Sequence, residues 1–393
     1  MAYKIIKFDG VEFQLFETAI IRVENTAEPR DLFIPSVFPS GEHVSCIPTK
    51  FCFGEFLTIT IDNNISIDEG AFADAKVGTI VWPSSQKKIP ERCFENSTVS
   101  KILNIDAVET IETAAFKGCI NLKEFSWPLN CRKIPNRCFC ESMLENITGL
   151  DEVETVEIGA FARTNIKKFS WPSKCTIIPE ECFYGARMTT ITNIDNVEQI
   201  KTRAFGKTKL SRFKWPDKCK AIPTECFLGS SLKRLINTNN VENIGAFAFR
   251  LCSNITEFSW PDKCKVIPCG CFISTSLKKI VNIDNVEEIM DCAFSSTPLS
   301  DFTWPSKCKK IPRNCFSNSN LKSITNIDDV EYIEDGAFSR TQIAEFAWPQ
   351  KCAEITGYCF SESGIQTILG IENVKKIGMR AFQGSSIRSI IWP

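Results

Sequence analysis

The sequence predicts a single repeat solenoid of the α/β class, dominated by β-strands and built from about sixteen turns, and three regularities support this fold class. First, all eight tryptophans precede a proline, and successive tryptophans lie 44 or 45 residues apart. Second, each Cys-Phe pair from residue 93 onward is followed 22 residues later by an Ala-Phe pair. Third, the step to the next Cys-Phe pair is 22 or 23 residues, so one turn has that length and exists in two alternating forms.

Each turn is predicted to begin with a short strand. LKEFSWP (122–128) and LKSITNI (321–327) start with apolar residues three apart and then alternate apolar and polar residues, as half-buried strands do. Proline has no backbone N–H to donate, so the proline after each tryptophan is expected to mark the end of the strand. One turn buries too little apolar surface alone, so neighbouring turns must stack, share a core and form a parallel sheet on one face.

A V-x-x-I or C-x-x-I step follows the strand and leads into a short turn that carries the A-F or C-F pair. The complete pattern, L-x-x-L-x-(I/W)-P-x-x-(V/C)-x-x-I-x-x-x-(A/C)-F, resembles the BspA-like, or treponemal-type, class of leucine-rich repeats. LSRFKWPDKCKAIPTECFLGS (210–230) and LKKIVNIDNVEEIMDCAFSST (277–297) both fit it. The resemblance covers roughly residues 45–393. It implies a curved right-handed coil and a protein-binding role, often that of an adhesin on a bacterial or protozoan surface.

Cysteine takes the place of small apolar residues in alternate turns. Cys175 occupies the slot that Val153 and Val197 hold in the adjoining half-repeats, and Cys182 occupies the slot of Ala160. A cysteine that exchanges with valine and alanine behaves as a small buried apolar residue. The sequence therefore predicts that these cysteines pack in the core.

The alternatives to packing for these cysteines are a disulfide and a metal site. Equivalent cysteines two turns apart would be separated by about 10 Å, which is too far for a disulfide. A bridge within one turn, such as Cys175 to Cys182, stays open. A metal site is disfavoured because the chain has no C-x-x-C pair and only one histidine, His43.

The tryptophans are predicted to point inward at the ends of their strands. In the alternate turns the same slot holds asparagine, or glycine in two cases, and we expect these asparagines to be buried and paired with loop backbone. The alternative is an exposed aromatic ladder that binds a ligand. The predicted structural core comprises Trp127, Trp171, Trp215, Trp260, Trp304, Cys175, Cys182, Phe183 and Phe205.

The polar positions that follow the first apolar residue of each strand are the candidate binding site. From residue 167 to 322 they are predominantly basic, although the whole chain has a net charge of −1. Solenoids offer extended binding surfaces, so this strand face is predicted to bind an acidic protein partner. The alternative is a solvated face that keeps the chain soluble. The candidate residues are Lys167, Lys168, Arg212, Lys233, Arg234, Lys278, Lys279 and Lys322.

Two regions lie outside the regular repeat. Residues 1–44 alternate like strands and are predicted to cap the solenoid, which then occupies residues 45–393. The last residues, IRSIIWP, end just after a strand, so end-to-end or homo-oligomeric association through an open edge is a second hypothesis.

No enzymatic function is predicted. The sequence has no dinucleotide, P-loop, zinc-protease or nucleophile-elbow motif, so no catalytic residue, cofactor or metal is assigned. A near-neutral charge disfavours nucleic acid as partner, and the absence of a long apolar run disfavours membrane insertion. The lack of a visible signal sequence favours a cytoplasmic scaffold, whereas the resemblance favours an adhesin-like surface or secreted protein.

Overall fold

The computed structural model describes residues 3–24, 28–388 and 390. The chain divides into two compact units, Met1–Asn196 and Val197–Pro393, here called unit 1 and unit 2. Both are built from stacked turns of strands and tight turns, which confirms the predicted strand-dominated repeat solenoid. No helix occurs among the described residues. Trp392 lies outside them.

Unit 1 begins with longer strands than the repeat requires. β1 (Lys4–Phe8), β2 (Val11–Phe16) and β3 (Ala19–Glu24) form an antiparallel meander, and β3 then pairs in parallel with the strands that follow. The remaining strands of this unit are β4 (Arg30–Ile34), β5 (Cys46–Ile47), β6 (Cys52–Phe53), β7 (Glu55–Ile61), β8 (Ser66–Ile67), β9 (Lys76–Val81), β10 (Lys88–Ile89), β11 (Lys101–Leu103), β12 (Thr110–Ile111), β13 (Glu124–Ser126), β14 (Lys133–Ile134), β15 (Asn146–Thr148), β16 (Thr155–Val156), β17 (Lys168–Ser170), β18 (Ile177–Ile178) and β19 (Thr190–Thr192). The predicted boundary between a cap and the solenoid at residues 44 and 45 stays a prediction.

In unit 2 each turn contributes one strand of three residues and one strand of two. The strands are β20 (Gln199–Ile200), β21 (Arg212–Lys214), β22 (Ala221–Ile222), β23 (Arg234–Ile236), β24 (Asn243–Ile244), β25 (Glu257–Ser259), β26 (Val266–Ile267), β27 (Lys279–Val281), β28 (Glu288–Ile289), β29 (Asp301–Thr303), β30 (Lys310–Ile311), β31 (Ser323–Thr325), β32 (Tyr332–Ile333), β33 (Glu345–Ala347), β34 (Glu354–Ile355), β35 (Thr367–Leu369) and β36 (Lys376–Ile377).

The strands pair in twos rather than in one continuous sheet. In unit 2 the strand that precedes a tryptophan pairs in parallel with the strand that precedes the asparagine of the next turn. Examples are β21 with β23 and β25 with β27. The two-residue strands pair in the same way on a second side of each turn, as β22 does with β24. Two longer sheets occur among the described strands, both in unit 1: the parallel sheet of β4, β7, β9 and β11, and the mixed sheet of β1, β2, β3, β5, β6 and β8. The unit of strand pairing is therefore the double repeat, which matches the 44- or 45-residue period of the sequence. Backbone hydrogen bonds beside the phenylalanines, such as that from the N–H of Phe249 to the carbonyl of Cys271, join successive double repeats.

A column of phenylalanine rings runs through the core of each unit. In unit 2 the rings from Phe205 to Phe382 stack on one another with centroids 5.5–6.0 Å apart and interplanar angles between 1° and 16°. Stacked aromatic pairs contribute about 0.5–1.5 kcal/mol each beyond the apolar area that they bury. This column explains why the phenylalanine of each turn does not vary.

The phenylalanine column of unit 1 includes Phe51 in the first turn. Phe51 is buried, and its ring meets that of Phe72 edge-on, with centroids 5.9 Å apart. The N–H of Phe51 donates to the carbonyl of Ala71, just as the N–H of Phe94 donates to the carbonyl of Ala115. The first turn is thus one or two residues shorter than the others. The sequence also suggests Phe53 as an early copy of this ring, but the side chain of Phe53 lies outside the described part of the structure.

Each tryptophan in the described part of the chain directly follows a strand and lies in the core. Trp171, Trp215 and Trp260 are at most 1% exposed, and the rings of Trp215 and Phe227 meet edge-on at 6.3 Å. The indole N–H of Trp215 donates to the carbonyl of Cys219 four residues later, at 2.8 Å. The buried indole N–H therefore has a hydrogen-bond acceptor, as a buried polar group requires.

The predicted burial of the asparagines in the alternate turns is wrong. Asn193 and Asn326 are exposed, with φ of 60° and 61°, and the core position is filled by the following isoleucine, such as Ile327. The exposed amide of Asn326 donates to the carbonyl of Trp304 at 2.7 Å. Asparagine and glycine both tolerate the left-handed conformation. The residue type at this position is therefore set by the backbone conformation and not by burial of the side chain. The exchange of asparagine with glycine at Gly149, where φ is 75°, is the signal that identifies it.

Candidate binding surface

The three-residue strands fix which side chains face outward. In β17 the middle residue, Phe169, is buried, while Lys168 and Ser170 on either side are exposed, because alternate residues of a strand point to opposite faces. We call these outward positions the strand face. In unit 1 it comprises, for the regular turns, Glu124, Ser126, Asn146, Thr148, Lys168, Ser170, Thr190 and Thr192, and in unit 2 Arg212, Lys214, Arg234, Ile236, Glu257, Ser259, Lys279, Val281, Asp301, Thr303, Ser323, Thr325, Glu345, Ala347, Thr367 and Leu369.

The predicted site residues divide into two groups. Half of them, Lys168, Arg212, Arg234 and Lys279, belong to the strand face. The other half lie one residue before a strand, exposed at its amino-terminal edge: Lys167, Lys233, Lys278 and Lys322. The prediction thus took two consecutive residues per turn, although strand alternation places the second outward residue two positions further on. Most of the strand-face residues outside the prediction are serine, threonine or aliphatic residues, and the others are Lys214, Asn146, Glu124, Glu257, Asp301 and Glu345.

The strand register decides which strand-face side chains of unit 2 are neighbours. Arg212 is opposite Arg234, and Glu257 is opposite Lys279. The ammonium group of Lys279 lies 3.7 Å from the Glu257 carboxylate. The structure therefore brings together two arginines in one pair and a cation with an anion in the next.

Asp301 is held by hydroxyl groups on the same face. Ser300 donates to one carboxylate oxygen at 2.6 Å, and Ser323, its register partner, donates to the other at 2.7 Å. These two hydrogen bonds, with a smaller contribution from the charge of Lys322, hold the pKa of Asp301 below its ordinary value. The carboxylate is thus ionised at neutral pH and interrupts the basic surface.

Charges away from the strand face are paired between adjacent turns. The ammonium groups of Lys265, Lys310 and Lys376 lie 3.8, 3.2 and 2.7 Å from carboxylates one turn away. Of the six candidate cations in unit 2, only Lys279 has a carboxylate within 4 Å among the residues that the structure describes. In unit 1, Lys167 and Lys168 also have no such carboxylate in the described part of the chain. The candidate cations other than Lys279 therefore differ from Lys265, Lys310 and Lys376, whose charges are paired within the described part of the chain.

The repeat of the sequence identifies its family. Residues 49–163, 154–278 and 265–388 match the family described as BspA type leucine rich repeat region. These stretches cover most of the 393 residues. The chain belongs to the BspA-type leucine-rich repeat family.

Several solved protein structures are similar to this chain. A leucine-rich repeat protein from Bacteroides ovatus has a TM-score of 0.51 and 19% identity, with 98% of this chain and 90% of that chain covered. A leucine rich cell surface protein from Faecalibacterium prausnitzii has a TM-score of 0.42 and 18% identity, with 96% and 95% covered. The pneumococcal vaccine antigen PcpA has a TM-score of 0.44 and 15% identity, with 98% and 88% covered. No curated protein matches the chain.

The cysteines that the structure of this BspA-type repeat describes are free thiols, and most of them lie in the core. Cys182 is fully buried, and the thiol of Cys175 donates to the carbonyl of Val153 in the preceding turn at 3.4 Å. Burial raises the pKa of Cys175 to about 12. No group of three potential metal ligands occurs among the described residues, and none of these residues belongs to an apolar helix of membrane-spanning length.

Buried thiols should make the stability of this BspA-type solenoid fall in alkali. Burial raises the pKa of Cys252 to about 11, whereas a thiol in the unfolded chain ionises near pH ~8.5. Above that pH the unfolded chain releases a proton that the folded chain retains, so the free energy of unfolding falls by about 1.4 kcal/mol per pH unit for this thiol. Guanidinium unfolding at pH 8 and pH 10 measures the loss.

A variant separates this thiol from the other groups that titrate in alkali. Thr275 occupies the slot of Cys252 one turn later and donates to the carbonyl of Phe272 at 2.8 Å, so Cys252→Thr suits the site. Between pH 8 and pH 10, we expect the free energy of unfolding to fall by about 2 kcal/mol less in this variant than in the native chain. An equal loss in both chains would show that Cys252 is not the source.

Proposed function

We propose that this chain is a non-enzymatic binding protein whose strand face in unit 2 binds an acidic segment of a protein partner, in the manner of an adhesin-like surface protein. Membership of a repeat family whose turns present a regular outward face supports a binding role. The observation that carries the proposal is the contrast in charge pairing. Lys265, Lys310 and Lys376 pair with carboxylates of adjacent turns. Five of the candidate cations have no carboxylate within 4 Å among the described residues, namely Arg212, Lys233, Arg234, Lys278 and Lys322.

The energetics of exposed ion pairs favour this interpretation. An exposed ion pair stabilises a protein by only about 0–1 kcal/mol. An exposed lysine without a paired carboxylate therefore lowers the stability of the fold little. A partner with complementary charge would gain association rate and specificity from them. Ile236 and Val281, which face the same side, would add apolar contact between the charges.

A pair of matched variants tests the proposal. Lys278→Gln with Lys322→Gln removes two unpaired cations beside the strand face. Lys265→Gln with Lys309→Gln removes the same charge from two lysines that pair with Glu287 and Asp329 at 3.8 and 3.5 Å. The probe is a fluorescent peptide rich in glutamate, and anisotropy gives its affinity for the full chain.

We expect the first variant to weaken binding about tenfold, because two charge contacts of up to about 1 kcal/mol each are lost. The control variant should change affinity by less than about twofold, since its lysines are already neutralised. Binding should also weaken with added salt, and the salt dependence should be shallower in the first variant. Equal losses in the two variants would contradict a site on the strand face.

A further inference from the structure

One pair of neighbouring strands in unit 2 places two positive charges opposite each other. β21 and β23 are parallel, and their register sets Arg212 directly against Arg234. Both side chains are exposed on the strand face. Neighbouring strands lie about 4.8 Å apart, and like charges directly opposite each other destabilise a sheet.

This pair differs from every other regular strand pair of unit 2. At the equivalent position Glu257 faces Lys279, Asp301 faces Ser323 and Glu345 faces Thr367. Those partners attract each other, as the hydrogen bond from Ser323 to Asp301 shows, or are neutral towards each other. The two arginines therefore form the one repulsive pair among the regular strand pairs of unit 2 that the structure describes. Because such a pair does not stabilise the fold, its presence indicates a role other than stability.

The positive charge at this point is larger than the pair alone. Lys233 precedes Arg234 in sequence, and its backbone N–H donates to the carbonyl of Ser211 at 2.8 Å, which fixes it beside the edge of β21. Lys214 lies two residues beyond Arg212 on the same outward face. Four cations therefore fall within two adjacent turns.

The carboxylates of these turns are engaged elsewhere. Asp217 accepts a hydrogen bond from the amide of Asn237 at 2.8 Å, and Glu242 pairs with Lys220 at 3.4 Å. Glu257, one turn further on, pairs with Lys279. Across residues 3–24, 28–388 and 390, no carboxylate lies within 4 Å of the charged groups of Arg212, Lys233 and Arg234.

We propose that Arg212, Arg234 and Lys233 form a binding site for a tetrahedral dianion, a phosphate or sulfate group carried by the partner. A guanidinium group donates two parallel hydrogen bonds to one oxyanion, and two such groups on adjacent strands can share the oxygens of a single phosphate or sulfate. A dianion neutralises both arginines, whereas one carboxylate neutralises only one. Clusters of arginine bind phosphorylated motifs in the same way. This inference rests on the proposed function, because it names the group by which the acidic partner is recognised.

Thermal unfolding of the full chain tests the site with free ions. Millimolar sodium sulfate or phosphate is compared with sodium chloride at equal ionic strength, which separates specific binding from screening. At an ion concentration about tenfold above Kd, we expect the Tm of the native chain to rise by about 2–4 °C. The double variant Arg212→Gln, Arg234→Gln should show no such rise. An equal rise in the native chain and the double variant would overturn the site.

A second readout separates a binding role from a structural one. In chloride at low ionic strength the double variant should be at least as stable as the native chain, because the repulsion between Arg212 and Arg234 is gone. A lower Tm for the variant in chloride would show that the arginines stabilise the fold and would overturn the proposal. Lys278→Gln with Lys322→Gln, which tests the acidic-partner surface, should keep the full response to sulfate. The two proposals can therefore fail independently.

A phosphoserine peptide distinguishes a group carried by a partner from a free ion. A short neutral peptide is compared with the same peptide bearing one phosphoserine, by anisotropy against the full chain. We expect the phosphate group to increase the affinity of the native chain about tenfold or more and that of the double variant by less than about twofold. Equal affinities of the two peptides for the native chain would overturn the assignment to a partner.

Discussion

Phe249→Ala should lower the free energy of unfolding by about 3–5 kcal/mol, because it removes a ring from the middle of the phenylalanine column. Phe249 is fully buried and stacks on Phe227 and Phe272 with centroids 6.0 and 5.5 Å apart. Its ring also contacts Phe258 at 4.9 Å. The loss combines the transfer of apolar surface with an unfilled cavity between two turns. Equilibrium unfolding in guanidinium measures it.

The matched control lies at the last described ring of the same column. Phe382 is half-buried and stacks on Phe360 at 5.8 Å. Phe382→Ala should therefore cost about 2 kcal/mol or less, since less area is buried and fewer rings of the described residues contact it. A loss for Phe249→Ala no larger than that for Phe382→Ala would show that the column is not the main source of stability.

Trp304→Ala should destabilise the chain by about 4–6 kcal/mol, the largest effect expected from a single substitution. The ring is 1% exposed and packs against Phe302 and Phe316 with centroids 5.9 and 6.3 Å apart. Its indole N–H donates to the carbonyl of Cys308 at 2.9 Å. The substitution therefore leaves both a cavity and a buried acceptor without its donor.

Trp304→Phe separates the two contributions. It keeps an aromatic ring in the core but leaves the carbonyl of Cys308 without the indole donor, which should cost about 1–3 kcal/mol. Guanidinium unfolding of both variants gives the difference. If Trp304→Phe were as destabilising as Trp304→Ala, the hydrogen bond and not the packing would dominate.

The fold could be predicted from sequence because its signals repeat. Periodic tryptophan and phenylalanine, together with alternation inside each strand, give the length of a turn and its inward side. The asparagine slot was misjudged because alignment by position assumes that equivalent residues share an orientation. That assumption fails at Asn326, where φ is 61° and the backbone is left-handed. The residue buried there is Ile327 instead. Exchange with glycine was the available signal.

The candidate surface was only partly predictable. Repetition shows that Lys168 and Arg234 face outward, but strand register is a property of the folded chain. The register places Arg212 opposite Arg234. The sequence alone does not distinguish these two arginines from Lys279, which is opposite a glutamate. Likewise, the pairing of Lys265 with Glu287 depends on which turns stack and cannot be read from composition.

The pairing of each tryptophan strand with the asparagine strand that follows it limits how this chain can change in length. The amide of Asn326 bonds to the carbonyl of Trp304 one turn back, and β29 and β31, which precede these two residues, share one ladder. Deletion of a single turn would set two strands of the same form side by side and remove both contacts. The smallest module that duplication or deletion can add or remove intact is therefore the 44- or 45-residue pair. A family of such chains should differ in length by whole pairs.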